Sequence, residues 1–138
     1  MTGPATGFLA QVPLFADLSK KQLDELARSM TERRWRAGET LFSEGDPGVA
    51  FFVIESGEID VTIGDRKVAT LGEGDHFGEV ALIEEVDRTA TLTAATDVRT
   101  YGIPSWVFRP LVQSNPSVAF RLLEAMARRA AGKPVTPA

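Results

Sequence analysis

The carboxylate of Glu79, the guanidinium of Arg88 and the flexible backbone of Gly78 lie close together in the sequence, within residues 74–92 of this chain. Gly78 allows the backbone to approach a ligand closely, and the short run 79–83 can form one helical turn whose free N–H groups attract an anion. Arg88 supplies the forked donor that suits a phosphate. Glu79 offers only acceptor oxygens, which suit sugar hydroxyls. These residue types at this spacing predict a site for a small phosphorylated sugar ring, although Glu79 and Arg88 could instead form a structural ion pair beside two turns.

The composition excludes several other kinds of site. The 138 residues include no cysteine and one histidine, His76, which excludes thiolate metal sites, disulfides, thiol nucleophiles and poly-histidine metal clusters. The sequence has neither a Walker lysine nor a G-x-G-x-x-G loop, so we expect no triphosphate or dinucleotide site. It also offers no evident pairing of a nucleophile with a base. We therefore expect a protein that is not an enzyme and holds no metal or cofactor, with His76 as a solvated turn residue.

The distribution of charge and hydropathy disfavours two kinds of partner, nucleic acid and membranes. The net charge is −4, and it divides into +4 over residues 105–138 and −8 over residues 1–104. A mainly acidic body disfavours nonspecific binding to nucleic acid, and basic residues near the end of a helix suit its dipole. No apolar run approaches the ~20 residues of a membrane span, and the N-terminus has no basic stretch before an apolar one. We therefore expect a cytoplasmic protein that does not associate with membranes.

The elements that must position the site fall into successive zones. Residues 8–34 have helical apolar spacing, and Ser19 with Gln22 three residues later fits a capping box. Residues 35–104 contain nine of the twelve glycines, which separate short β-favouring runs. Turn signals at intervals of about ten residues predict an all-β sandwich, barrel or roll in this zone.

The C-terminal zone, residues 105–131, returns to helical spacing. Ser105 is expected to cap a short helix, and Asn115-Pro116 is expected to begin a second one. The second helix carries an apolar stripe that must face the β body or a partner: Val118, Ala119, Leu122, Leu123, Met126, Ala127 and Ala130. Residues 132–138 are expected to form a flexible tail.

The site segment resembles the phosphate-binding cassette of cyclic-nucleotide-binding domains. These domains occur in the catabolite activator family, the regulatory subunits of cyclic-AMP-dependent kinase and cyclic-nucleotide-gated channels. The family pattern matches without exception as Phe77-Gly78-Glu79-Val80-Ala81-Leu82, a five-residue spacer, then Arg88-Thr89-Ala90. A second family pattern matches residues 41–57, with one departure at Phe42, where the family usually has a smaller aliphatic residue. We expect this departure to affect packing and to leave the ligand site untouched.

The resemblance covers roughly residues 13–129 and implies a fold. It implies an α+β protein built on an antiparallel, jelly-roll-like β-roll of about eight strands. An N-terminal helical segment and C-terminal B and C helices would flank the roll. Residues 1–138 would then be a single cyclic-nucleotide-binding domain, with the cassette at 77–90.

The resemblance also implies roles for the cassette residues. Glu79 would accept from the ribose 2′-hydroxyl, with the Gly78 backbone on the same sugar, and Arg88 would pair with the exocyclic phosphate oxygens. The Thr89 hydroxyl would reach the phosphate and the amino group of a syn guanine, which is permissive for both cAMP and cGMP. Backbone N–H groups around three small or apolar residues would complete the anion site: Val80, Ala81 and Ala90.

The base would be held by apolar side chains and by the C helix acting as a lid. Phe77 and Leu71, and less directly Val61 and Ala69, would line the base pocket, although each could equally belong to an ordinary β-roll core. Arg129 falls where some channel domains place an arginine that contacts the base, and its neighbours Met126 and Arg128 could take that role instead.

The function implied is a stand-alone sensor of cAMP, cGMP or both. Its C helix would close over the ligand, and the signal would pass to a protein partner or to a second copy of the chain. The alternative is a ligand-free structural or interaction module with the same roll, acting through its C-terminal helix. Only seven residues follow Ala131, so we expect no helix-turn-helix there and no DNA binding by that route.

Overall fold

Helices flank a run of β-strands in the computed structural model of this chain. The structure describes residues 6–43, 45, 50–78 and 90–131, with the backbone only for residues 129 and 130. In chain order the elements are α1 (Thr6–Gln11), a 3-10 helix (Pro13–Phe15), α2 (Lys20–Arg28), β1 (Thr31–Trp35), β2 (Thr40–Phe42), β3 (Ala50–Ser56), β4 (Ile59–Ile63), β5 (Arg66–Leu71), β6 (His76–Phe77), β7 (Thr91–Ala94), β8 (Val98–Pro104), α3 (Ser105–Ser114) and α4 (Pro116–Ala130).

The strands form two antiparallel sheets. In the part of the chain that the structure describes, the first sheet has the order β1-β8-β3-β6 and the second the order β2-β7-β4-β5. Most neighbouring strands are distant in sequence, so the chain crosses repeatedly between the sheets, as in a jelly-roll. The predicted fold class is therefore confirmed: an α+β protein with an antiparallel β-roll flanked by helices.

The first sheet separates two apolar cores. Along β3 successive side chains point to opposite faces, so Phe51 and Val53 belong to one core and Phe52 and Ile54 to the other. The helix-side core combines that sheet face with the helices and includes Leu9, Val12, Phe15, Leu23, Leu26, Tyr101, Ile103, Phe108, Val118 and Leu122. The roll interior lies between the two sheets and includes Trp35, Ile59, Phe77, Leu92, Ala94 and Val98.

The predicted capping box begins α2. The backbone N–H of Gln22 donates to Ser19 Oγ (3.2 Å), and the backbone N–H of Ser19 donates to Gln22 Oε1 (2.8 Å). The Gln22 amide also donates to Asn115 Oδ1 (2.9 Å), between α3 and α4. One side chain thus closes the start of α2 and joins it to the C-terminal helices.

Helix α4 buries a narrower stripe than the sequence predicted. Val118, Leu122 and Ala125 are buried, at the i, i+4, i+7 spacing of a single face. Leu123 and Met126, which the prediction placed in the same stripe, are exposed to 63% and 44%. Ala127 is exposed as well. Each of these three is rotated away from the buried line, so the helix-side core cannot reach it.

Two other expectations about local structure were wrong. The expected N-terminal helical segment ran to residue 34, but residues 31–34 belong to β1, which pairs with β8. The sequence Thr31-Glu-Arg-Arg-Trp35 has no helical apolar period, and the sheet supplies its hydrogen bonds. Ser105 was expected to cap α3, but it is the first residue of that helix, and the N-cap position is occupied by Pro104. The tail at residues 132–138 lies outside the described residues.

None of the helices that the structure describes is long and apolar enough to cross a membrane.

Candidate functional site

The short strand β6 leads the chain into the predicted cassette. Phe77 pairs with Phe52 of β3 and His76 pairs with Val53. The next residue, Gly78, is buried and has φ of +93°, a left-handed conformation that other residues adopt only with strain. The sequence suggested a glycine here because it lets the backbone approach a ligand closely. The backbone conformation is a second reason, because a positive φ favours glycine.

The predicted base-pocket residues of β4 and β5 share one face of the second sheet. Val61 and Ala69 are cross-strand partners, and Leu71 pairs with Ile59, which is fully buried in the roll interior. Val61 and Leu71 pack against that core, whereas Ala69, on the edge strand β5, is exposed. The structure therefore brings together four of the predicted site residues in the roll interior: Val61, Leu71, Phe77 and Ala90.

Phe77 packs within an aromatic cluster that spans the two sheets. Its ring stacks on Phe52 of the first sheet, with centroids 5.1 Å apart and planes 12° apart. It also contacts Phe42 of the second sheet, at 5.9 Å and 60°. Phe42 therefore contacts a predicted site residue directly, and the expectation that it leaves the ligand site untouched stays a prediction.

The predicted ribose- and phosphate-binding residues lie outside the described residues, except for Gly78 and Ala90. This applies to Glu79, Val80, Ala81, Arg88 and Thr89. Arg129 lies in α4, where the structure describes its backbone only. The contacts assigned to these residues by resemblance therefore stay predictions.

His76 is a buried strand residue, and the expectation of a solvated turn was wrong. It is 5% exposed, and its ring lies 5.4 Å from that of Phe51. Phe51 in turn stacks on Phe108 of α3, at 4.1 Å and 10°. Adjacent strand residues face opposite sides, so His76 lies on the face of β6 opposite to Phe77. That face is buried because the helix-side core packs on it, which no local sequence signal indicates.

A second cluster of ionisable groups lies on β1, β3 and β8, and no sequence motif predicted it. Arg99 donates to Glu32 through Nε and lies 2.9 Å from Glu55 through Nη1. Burial raises the pKa of Glu32, but hydrogen bonds from Arg34 and Arg99 outweigh it and leave that pKa below its usual value. Burial likewise raises the pKa of Tyr101, whose hydroxyl donates to Glu55 (3.4 Å). These charges compensate one another, which is typical of a structural network.

Helix α4 is tied to the N-terminal segment by an ion pair. Arg121 donates to Asp17 through Nε (2.8 Å) and through Nη2 (3.2 Å). The hydrogen bond from Arg121 lowers the pKa of Asp17 below its ordinary value. Together with the burial of Leu122, this pair seats α4 on the helix-side core, away from the roll interior.

The residues that the structure describes include no group of three or more His, Cys, Asp or Glu side chains that could hold a metal ion.

Comparisons with known proteins identify the family. A family profile described as "Cyclic nucleotide-binding domain" matches residues 32–115. A cAMP-dependent protein kinase regulatory subunit of Colletotrichum orbiculare is 36% identical over 107 residues, covering 76% of this chain and 27% of that protein. One of Yarrowia lipolytica is 42% identical over 95 residues, covering 67% of this chain and 25% of that protein. The chain belongs to the cyclic nucleotide-binding domain family, as its cassette motif predicted.

A solved structure shares nearly the whole fold of this chain. The crystal structure of the N-terminal domain of a transcriptional regulator from Streptomyces coelicolor A3(2) is similar with a TM-score of 0.71 at 36% identity. The match covers 90% of this chain and 92% of that one. By contrast, the chain spans only about a quarter of the length of the two kinase regulatory subunits.

Proposed function

We propose that this chain binds a purine 3′,5′-cyclic mononucleotide, cAMP or cGMP, and acts as a stand-alone, non-catalytic sensor that signals through a partner. The observation that carries the proposal is the unbroken cassette pattern at residues 77–90, inside the segment 32–115 that matches the family. The kinase regulatory subunits that the chain resembles are named for cAMP, which makes cAMP the first ligand to test. We propose that residues 1–138 are one such domain.

The described half of the site supports this assignment. Val61, Leu71, Phe77 and Ala90 place apolar side chains together in the roll interior, as a purine base requires. Gly78 follows Phe77 in a left-handed conformation, where the sugar would meet the backbone. Glu79 would accept from the ribose 2′-hydroxyl, and Arg88 would pair with the phosphate.

Closure of α4 over the base completes the proposed mechanism. The helix is seated on the helix-side core and exposes Phe120 (62%), Leu123 (63%) and Met126 (44%). Large apolar side chains on the outer face of a helix are suited to covering a base. Nucleotide binding would shift the population from the seated arrangement to one in which this face closes the site. The ratio of the two arrangements changes at most by the ratio of their affinities for the nucleotide.

The test is calorimetric titration with cAMP and cGMP of four proteins: the parent chain, Arg88→Ala, Glu79→Gln and Arg36→Ala. Loss of the charge-assisted bonds of Arg88 is worth about 1.5–3 kcal/mol, which corresponds to roughly 10- to 150-fold in affinity. Arg36 is an exposed arginine whose removal changes the net charge equally and should leave affinity unchanged. Parent-like affinity in both Arg88→Ala and Glu79→Gln would exclude the proposed site.

The second candidate is an interaction module without ligand, and the exposed apolar face of α4 is the observation that favours it. The two candidates differ in thermal unfolding. A sensor gains Tm with added cAMP or cGMP, because a ligand that binds only the folded state stabilises it. An interaction module shows no such gain.

A further inference from the structure

The aromatic residue at position 42 is in ring contact with a residue of the proposed site. Phe42 ends β2 in the second sheet, whereas Phe77 lies on β6 in the first. The centroids of the two rings are 5.9 Å apart at 60°, and Phe42 also contacts Phe52 at 5.4 Å and 49°. Because Phe52 and Phe77 stack on each other, the three rings form one cluster across the roll interior.

This cluster constrains the Phe77 ring from two sides. Phe52 covers one face of the Phe77 ring in a near-parallel stack, and Phe42 meets it at a steep angle from the opposite sheet. A smaller aliphatic residue at position 42 would remove the second constraint and leave space beside Phe77. Since protein interiors are close-packed, Phe77 would then relax toward that space.

We propose that Phe42 is a positioning residue that sets the purine selectivity of the nucleotide site by holding the ring of Phe77. This rests on the proposed function, in which Phe77 lines the base pocket. A fixed ring presents a constant apolar surface to the base, and a bicyclic purine covers more of that surface than a monocyclic pyrimidine does. The test therefore compares two nucleotides that share the sugar and the phosphate and differ only in the base.

The test is the ratio of the dissociation constants for cyclic CMP and cAMP, measured by calorimetry on the full chain. Replacing Phe42 by Leu should lower this preference for the purine by about 2- to 10-fold, the scale of one aromatic pair. Phe42→Met, which has about the volume of Leu but an unbranched, more adaptable side chain and no ring, should lower it similarly and serves if the Leu variant does not fold. Phe42→Tyr keeps the ring and should retain the parent ratio.

The matched control is Trp35→Leu. Trp35 also contacts Phe52 (6.3 Å, 71°) and lies in the same core, so its loss weakens packing comparably. A merely structural role for Phe42 predicts equal ratios in Trp35→Leu and Phe42→Leu, and that result would overturn the inference. An unchanged ratio in the Leu and Met variants, with cAMP binding intact, overturns the inference alone. Failure of the parent chain to bind cAMP or cGMP overturns it together with the proposed function.

Discussion

Two adjacent leucines of α4 separate the two roles that this helix has in the proposed mechanism. Leu122 is 4% exposed within the helix-side core, and Leu123 is 63% exposed on the outer face. The substitutions Leu122→Ala and Leu123→Ala remove the same atoms from the same helix, with the same change in helix propensity. Any difference between the two variants therefore reports the surroundings of the side chain.

The expected effects on stability differ several-fold. Leu122→Ala leaves a cavity in a packed core and should lower the free energy of unfolding by about 2–5 kcal/mol. For a chain of this size that corresponds to a fall in Tm of roughly 5–20 °C. Leu123→Ala removes an exposed side chain and should change stability by less than about 0.5 kcal/mol.

The expected effects on nucleotide affinity have the opposite order. If the outer face of α4 closes over the base, Leu123→Ala loses apolar contact worth about 1–2 kcal/mol, or roughly 5- to 30-fold in affinity for cAMP. Leu122→Ala should bind cAMP at least as tightly as the parent, because weaker seating of α4 makes closure easier. Thermal unfolding and calorimetry on the same samples measure both quantities.

Two results would refute this reasoning. Equal losses of Tm in the two variants would mean that α4 is not seated through Leu122. Parent-like affinity in Leu123→Ala would mean that the outer face of α4 does not cover the ligand, so that nucleotide binding does not involve closure of this face. Sedimentation of both variants at the concentrations used for calorimetry distinguishes a loss of ligand contact from a change in self-association.

Two further predictions concern stability. Because the pKa of Asp17 is lowered in the folded chain, its pair with Arg121 stabilises the protein above the ordinary carboxyl pKa and is lost as the pH falls through the lowered value. The Tm of Asp17→Asn should therefore lie below that of the parent at pH 7, with the gap closing below about pH 4; a gap independent of pH would contradict this. Gly57→Ala should lower the free energy of unfolding in urea by at least about 2 kcal/mol, because φ is +95° and the added Cβ would clash with the backbone carbonyl oxygen of Asp97. Gly64→Ala, with φ of +61° and open space around the Cβ, should cost only about 1 kcal/mol, and equal costs would rule out the clash.

Local signals in the sequence predicted most of the helices and the short strands, whereas the choice of a β-roll among the all-β architectures came from the family resemblance. The capping box of Ser19 and Gln22 is complete within four residues, and glycine-separated apolar alternation predicts short strands without knowledge of their partners. The segment Thr31–Trp35 was missed because its strand character depends on pairing with β8, some 65 residues later in the chain. Its own charged composition gives no strong signal for either state.

Contacts between distant segments explain what the sequence could not provide at the site. The motif predicted Phe77 as a site residue, but the ring contact with Phe42 joins two sheets and residues 35 positions apart. His76 was misplaced for the same reason, since its burial depends on Phe51 and the helices behind it. A motif indicates which residues are expected to contact a ligand, whereas the contacts that these residues make within the protein depend on distant parts of the chain.

These packing contacts join the proposed site to the helices through one two-residue strand. In β6, Phe77 faces the roll interior and His76 faces the helix-side core, where Phe51 connects it to Phe108 of α3. Both side chains are buried, so neither can rotate into solvent to absorb a backbone shift at Gly78. A displacement at the start of the cassette must therefore repack both cores together, since close-packed interiors do not deform on one side alone.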